Sequence, residues 1–70
     1  MIDKPEYKNV DKIMREKNIS AHKLALMTGI QTHTMLKRLR GKTMIKLDEA
    51  LMIKAALGTD MPIEKLFERR

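Results

Sequence analysis

Residues 20–40 read SAHKLALMTGIQTHTMLKRLR, from Ser20 to Arg40, and their punctuation decides the fold. Ser20 carries the short hydroxyl that accepts a backbone N–H at a helix start, and Gly29 suits the left-handed position that ends a helix. Between them Leu24, Ala25 and either Met27 or Thr28 supply one apolar face, which predicts a helix of barely two turns. After Ile30, Gln31 or Thr32 can cap the next helix, in which Met35 and Leu39, four apart, face inwards until Gly41 stops it. Only three or four residues join the two helices. Two short helices across a glycine-containing turn form the unit that holds its second helix out, shaped to enter a DNA major groove.

Upstream, Tyr7, Val10, Ile13, Met14 and the stem of Lys17 recur at helical spacing, predicting an amphipathic helix from about Pro5 to Lys17, with Pro5 in its opening turn. Asn18 and Ile19 break it. Downstream, Leu47, Ala50, Leu51, Ile53 or Lys54, and Leu57 predict a helix over 47–57 with these residues inwards, Asp48 and Glu49 near its positive N-terminus and Gly58 after its end. Thr59 to Pro62 is a turn, and Ile63, Leu66 and Phe67 line a short last helix. No segment alternates with period two over a strand length. The fold class is therefore all-α, five short helices in one domain spanning 1–70, with flexible ends at 1–4 and 69–70 and the two-helix unit at about 20–40.

Seventy residues with no Cys, no Trp, one Tyr and one Phe make a single small domain whose core is aliphatic. At 43% hydrophobic and 34% charged, the chain is too apolar for a disordered tail and too charged for a membrane protein. Without disulfides or a Cys-based zinc site, stability rests on close helix packing, a demand that seven flexible Met side chains suit. There is no 18-residue apolar run and no apolar stretch after the charged start, so neither a membrane span nor a secretory signal is expected, and the expected location is the cytoplasm, at the nucleoid.

The net charge of +6 is unevenly placed. From Lys17 to Leu47 there are seven cations (Lys17, Lys23, Lys37, Arg38, Arg40, Lys42, Lys46) and two His, and no Asp or Glu, while the flanks carry eight cations and nine anions. The positive field is concentrated on whatever face the middle presents, which implies a polyanion as partner. The basic run Lys37, Arg38, Arg40, Lys42 begins on the second helix of the two-helix unit, so structure and charge point to the same place.

With these residues in view, the chain resembles the phage Cro and repressor (XRE-like) helix-turn-helix family from Val10 to Phe67. The resemblance rests on Ile13, Asn18-Ile19-Ser20, Leu24-Ala25, Gly29-Ile30, Met35, Gly41-Lys42, Leu47, Leu51, Ile53, Ala56-Leu57-Gly58 and Leu66-Phe67. It implies a lambda-repressor-like DNA-binding fold and a small repressor of transcription. Carried over by position, the base-reading residues are Gln31, Thr32, His33 and Lys37. These side chains have groove-reading chemistry, since a Gln amide pairs with adenine, a Thr methyl touches the thymine methyl, and Lys or protonated His donates to guanine. Phosphate contacts fall on His22, Lys23, Thr34, Arg40, Gly41, Lys42 and Thr43, which fix register.

Three departures matter. Ala21 stands where the family often has a phosphate-holding Gln, shifting contact to His22 or to the N–H groups of that helix terminus. Met14 and Leu39 replace an Arg and Glu that many members bury as an ion pair; exchanging both partners for apolar residues keeps the packing consistent. Arg38 stands at a usually apolar core position, which leaves the rotation of this helix open between burying Leu39 and burying Leu36.

Relatives of this kind bind two-fold operators as pairs, so a homodimer is expected, with Met44 and Ile45 as candidate contacts and Met61, Ile63 and Phe67 as a second patch. Catalysis is not expected: Ser20 and His22, two apart, point to different helix faces, and no HExxH, phosphate loop or metal cluster is present. No cofactor, metal, membrane or small-molecule ligand is expected. The rival reading is a helical protein-interaction module, an antirepressor or a partner of a repressor or polymerase, without its own DNA specificity. RNA is a weaker fit, because the basic segment lacks aromatics that would stack unpaired bases.

Overall fold

The computed structural model describes residues 4–69, so the expectation of flexible ends falls outside it at 1–3 and 70. The described residues form α1 (Lys8–Lys17), α2 (Ala21–Thr28), α3 (Thr32–Leu39), α4 (Leu47–Leu57) and α5 (Ile63–Leu66), and no strand. Helix α2 packs on both α3 and α4, and α5 touches α4 and α1. One buried cluster, aliphatic except for Tyr7, joins all five through residues such as Val10, Met14, Leu24, Met35, Leu39, Ile53, Leu57 and Leu66. Met14 and Leu39 both belong to it, each 2% exposed.

Local signals set most boundaries. The Ser20 hydroxyl accepts from the Lys23 N–H at 3.1 Å, and Gly29, at φ +77°, closes α2 by donating to the Ala25 carbonyl. Of the two alternatives on α2, Thr28 turns inwards, its hydroxyl donating to the Leu24 carbonyl at 2.9 Å, while Met27 stays exposed. Helix α4 begins where the Glu49 carboxylate accepts from the Lys46 N–H at 3.0 Å, with Asp48 and Glu49 in its first turn.

Two expectations are corrected. Helix α1 starts at Lys8 rather than Pro5, because the preceding chain has other partners. The Glu6 N–H donates to the Leu39 carbonyl at 3.0 Å, and Tyr7 is extended, its buried ring set edge-on to Phe67 with centroids 5.6 Å apart. On α4, Ala50, Ile53 and Leu57 are buried, whereas Leu47 and Leu51 are 68% and 52% exposed. At about 100° per residue the first three share one face and the other two lie roughly 90–130° round from its centre.

Gly41 ends the corner after α3 at φ +76°, and it also sits under the N-terminal segment. A Cβ there would lie 2.8 Å and 2.9 Å from Glu6 side-chain carbons, whereas one at Gly29 would meet nothing within 4 Å. Glu6 is itself held by Arg69, whose Nε donates to its carboxylate at 3.0 Å. Gly29→Ala is expected to cost about 1 kcal/mol through its left-handed backbone alone. Gly41→Ala adds a clash and is expected to cost about 2–3 kcal/mol in urea denaturation; equal losses at the two sites would mean that Glu6 moves aside without cost.

Candidate nucleic-acid interface

Helix α3 is built from a narrow buried stripe and a polar remainder. Met35 and Leu39 are buried, Leu36 is half-buried, and so the rotation left open by Arg38 is the one that buries Leu39. On the opposite side His33, Lys37 and Arg40, spaced four and three apart, are all exposed and share one outward face. Thr32, Thr34 and Arg38 are half-buried along its flanks.

The start of α3 is joined to the start of α2 by polar side chains. His22 Nδ1 lies 3.1 Å from Thr32 Oγ1, and both His22 and Lys23 are exposed. Gln31 occupies the N-cap position and is exposed, and no side chain caps the helix there. Neither of the two capping alternatives is used: the Gln31 amide is left to solvent and the Thr32 hydroxyl meets His22. The first-turn N–H groups of a helix and its dipole favour an anion at such an end.

The corner after α3 has a different construction. The Gly41 and Lys42 N–H groups donate to the carbonyls of Arg38 and Lys37 at 3.1 Å and 3.0 Å, closing the end of α3. The Thr43 hydroxyl accepts from Arg38 Nη1 at 2.6 Å. The groups this corner presents outwards are the exposed side chains of Arg40, Lys42 and Lys46. Met44 follows, 80% exposed, with Ile45 half-buried beside it. Met44, Ile45 and Leu47 line a largely apolar groove of about 340 Å³ together with Tyr7, Ala50, Ile63, Phe67 and Arg69.

Arg38 is the residue whose role the sequence concealed. Its Nε donates to Glu49 Oε1 at 3.0 Å and its Nη2 lies 3.4 Å from Glu49 Oε2, and the two side chains are only 17% and 13% exposed. Of the seven cations in the acid-free segment, this one is neutralised within the fold by a carboxylate two residues beyond the segment's end. The signal was present: an Arg at an inward position of α3 needs a counter-charge, and Asp48 and Glu49 are the next acids along the chain.

Among the described residues no helix is long and apolar enough to cross a membrane, and no three His, Asp or Glu gather as metal ligands would. A family model described as Cro/C1-type HTH DNA-binding domain matches residues 9–68. No curated protein and no solved structure matches the chain.

The Glu49 carboxyl is held below the ordinary glutamate value of 4.5, chiefly by the Lys46 N–H bond and then by the Arg38 hydrogen bond and charge, against an opposing effect of burial. A carboxylate whose folded value is depressed stabilises the fold above its unfolded value, and that contribution disappears as pH falls through the folded one. Glu49→Gln is expected to cost about 1–2 kcal/mol at pH 7. Its denaturation midpoint should then change less than the parent's between pH 5 and 3; parallel pH profiles would mean that the carboxylate is not bound more tightly in the fold.

Proposed function

This chain belongs to the Cro/C1-type helix-turn-helix DNA-binding domain family, and from that premise we propose that it is a sequence-specific regulator, a small repressor that lays α3 in the major groove. The observation that carries this reading is the outward face of α3, where His33, Lys37 and Arg40 stand exposed in a segment without acids. A groove-reading helix needs such a face: side chains long enough to reach base edges, and no carboxylate to repel phosphate. Gln31, Thr32, His33 and Lys37 read bases. His22, Lys23 and Thr34 take phosphates at one end of α3, and Arg40 and Lys42 at the other, with Gly41 and Thr43 shaping the corner that brings the backbone within reach.

A helix of eight residues is only about 12 Å long and spans few base pairs, so two copies on a two-fold operator supply the missing specificity. The surface suited to self-association is Met44 with Leu47 and the adjoining groove, next to the phosphate-reaching corner. None of the outward α3 residues His33, Lys37 and Arg40 lines that groove.

Binding to random duplex DNA followed by fluorescence anisotropy tests the reading. Log affinity should fall steeply with log salt, and Lys42→Ala should flatten the slope by about one. Absence of duplex binding would favour the interaction-module alternative. On a duplex selected from a random pool, Lys37→Ala or His33→Ala is expected to cost about 1–3 kcal/mol and to relax discrimination, whereas equal losses on every sequence would reassign the residue to phosphate. Met44→Glu should leave the denaturation midpoint nearly unchanged and weaken both sedimentation-detected self-association and operator binding about tenfold or more; unchanged association would remove this patch from the interface.

A further inference from the structure

The basic run 37–42 contains four cations, and three of them are exposed. The fourth, Arg38, is directed inwards, and its guanidinium ties together parts of the chain that the irregular loop 40–46 connects. From α3 it reaches Thr43 in the loop and both oxygens of Glu49 on α4. Glu49 in turn accepts the N–H of Lys46, the last loop residue. One planar group and one carboxylate thus link the end of α3, the middle of the loop, its last residue and the first turn of α4.

We infer that the Arg38–Glu49 pair is a positioning device for DNA recognition: it braces the loop 40–46 so that Arg40 and Lys42 meet the DNA backbone in fixed register with the base-reading face of α3. This deepens the DNA-binding reading and rests on it. Two features separate the role from direct phosphate contact. Three guanidinium donors are engaged inside the protein, and the side chain is 17% exposed, in contrast to exposed Lys37 and Arg40. The rigid fork also matters: it serves a carboxylate and a hydroxyl at once, which a Lys ammonium on a flexible stem does not reproduce with fixed geometry.

The consequence is a division of labour within four neighbouring basic residues. Lys37 acts on bases and Arg40 and Lys42 on phosphates, while Arg38 sets the distance between the two sets. Register errors of a few tenths of an ångström weaken directional contacts to base edges more than diffuse attraction to phosphate. Loss of the brace therefore lowers specificity while leaving the salt dependence of random-duplex binding in place.

The test compares the parent with the double variant Arg38→Met/Glu49→Gln, which removes both charges and leaves the net charge unchanged, and with Arg38→Lys, which keeps the charge and loses the fork. For each, affinity for a selected and for a random duplex is measured across salt, together with amide hydrogen exchange over residues 40–46. The expected result for both is a parental salt slope, a ratio of selected to random affinity reduced roughly tenfold, and faster exchange in the loop. A slope reduced by about one in Arg38→Met/Glu49→Gln would make Arg38 a phosphate ligand and overturn the inference, as would an unchanged affinity ratio or unchanged loop exchange. Should the double variant fail to fold by circular dichroism, Arg38→Lys decides by the same ratio and exchange. Should the parent itself lack duplex binding, the DNA reading fails separately: the loop exchange of Arg38→Lys then overturns the brace if unaltered and supports it if faster.

Discussion

A helix of eight residues makes too few backbone hydrogen bonds to persist in water, so α3 is a helix because Met35 and Leu39 are held by the rest of the domain. Each buried side chain contributes about 1.5–3 kcal/mol, and two such anchors four residues apart fix both the existence and the rotation of the helix. Everything outward follows from that rotation. With Met35 and Leu39 inside, His33, Lys37 and Arg40 are necessarily outside, and Arg38 necessarily reaches a flank where a charge must be paired. The core that holds α3 is itself built from short pieces: α2, which packs directly on α3, contributes Leu24 and Ala25, and α4, packed on α2, contributes Ile53 and Leu57. The outward face of α3 is therefore a property of the whole core rather than of α3 alone.

What was legible in the sequence is what local chemistry controls. Ser20 and Gly29 bound α2, Gly58 closes α4 at φ +64°, and Leu47–Leu57 is the helix that its periodicity predicts. Met35 and Leu39 were legible as a candidate inward pair from their four-residue spacing, but Arg38 left Leu36 in competition with Leu39, and the fold buries Leu39 while pairing Arg38 with Glu49. The start of α1 was not legible, because residues 5–7 answer to distant partners: Leu39 through the Glu6 N–H, and Phe67 through the Tyr7 ring. No local preference could reveal that Tyr7 belongs to the core while lying outside the helix whose apolar series it would open.

The amphipathic pattern of α4 misled for a related reason. Leu, Ala and Ile recur often enough that several faces satisfy a helical period, and only contact with α2 and α5 selects Ala50, Ile53 and Leu57. Leu47 and Leu51 are left exposed, as are Met44 in the preceding loop and Leu26 and Met27 on α2. Isolated exposed leucines mean little, but Met44 and Leu47 line one groove together with Tyr7 and Phe67, which makes a surface that water covers poorly. That surface adjoins the corner of the molecule where its cations gather.

Counting charges along the chain located the positive segment and overstated it by one. The Arg38–Glu49 pair lies across the end of that segment, so the field on the outward side comes from cations that the fold leaves uncompensated. An exposed pair would have been a weak link, worth little after screening. At 17% and 13% exposure, with both carboxylate oxygens and a backbone N–H engaged, this one excludes much of the solvent that would loosen it. Removing one partner alone would leave an unpaired charge at the joint between α3 and α4, which favours replacing the two together.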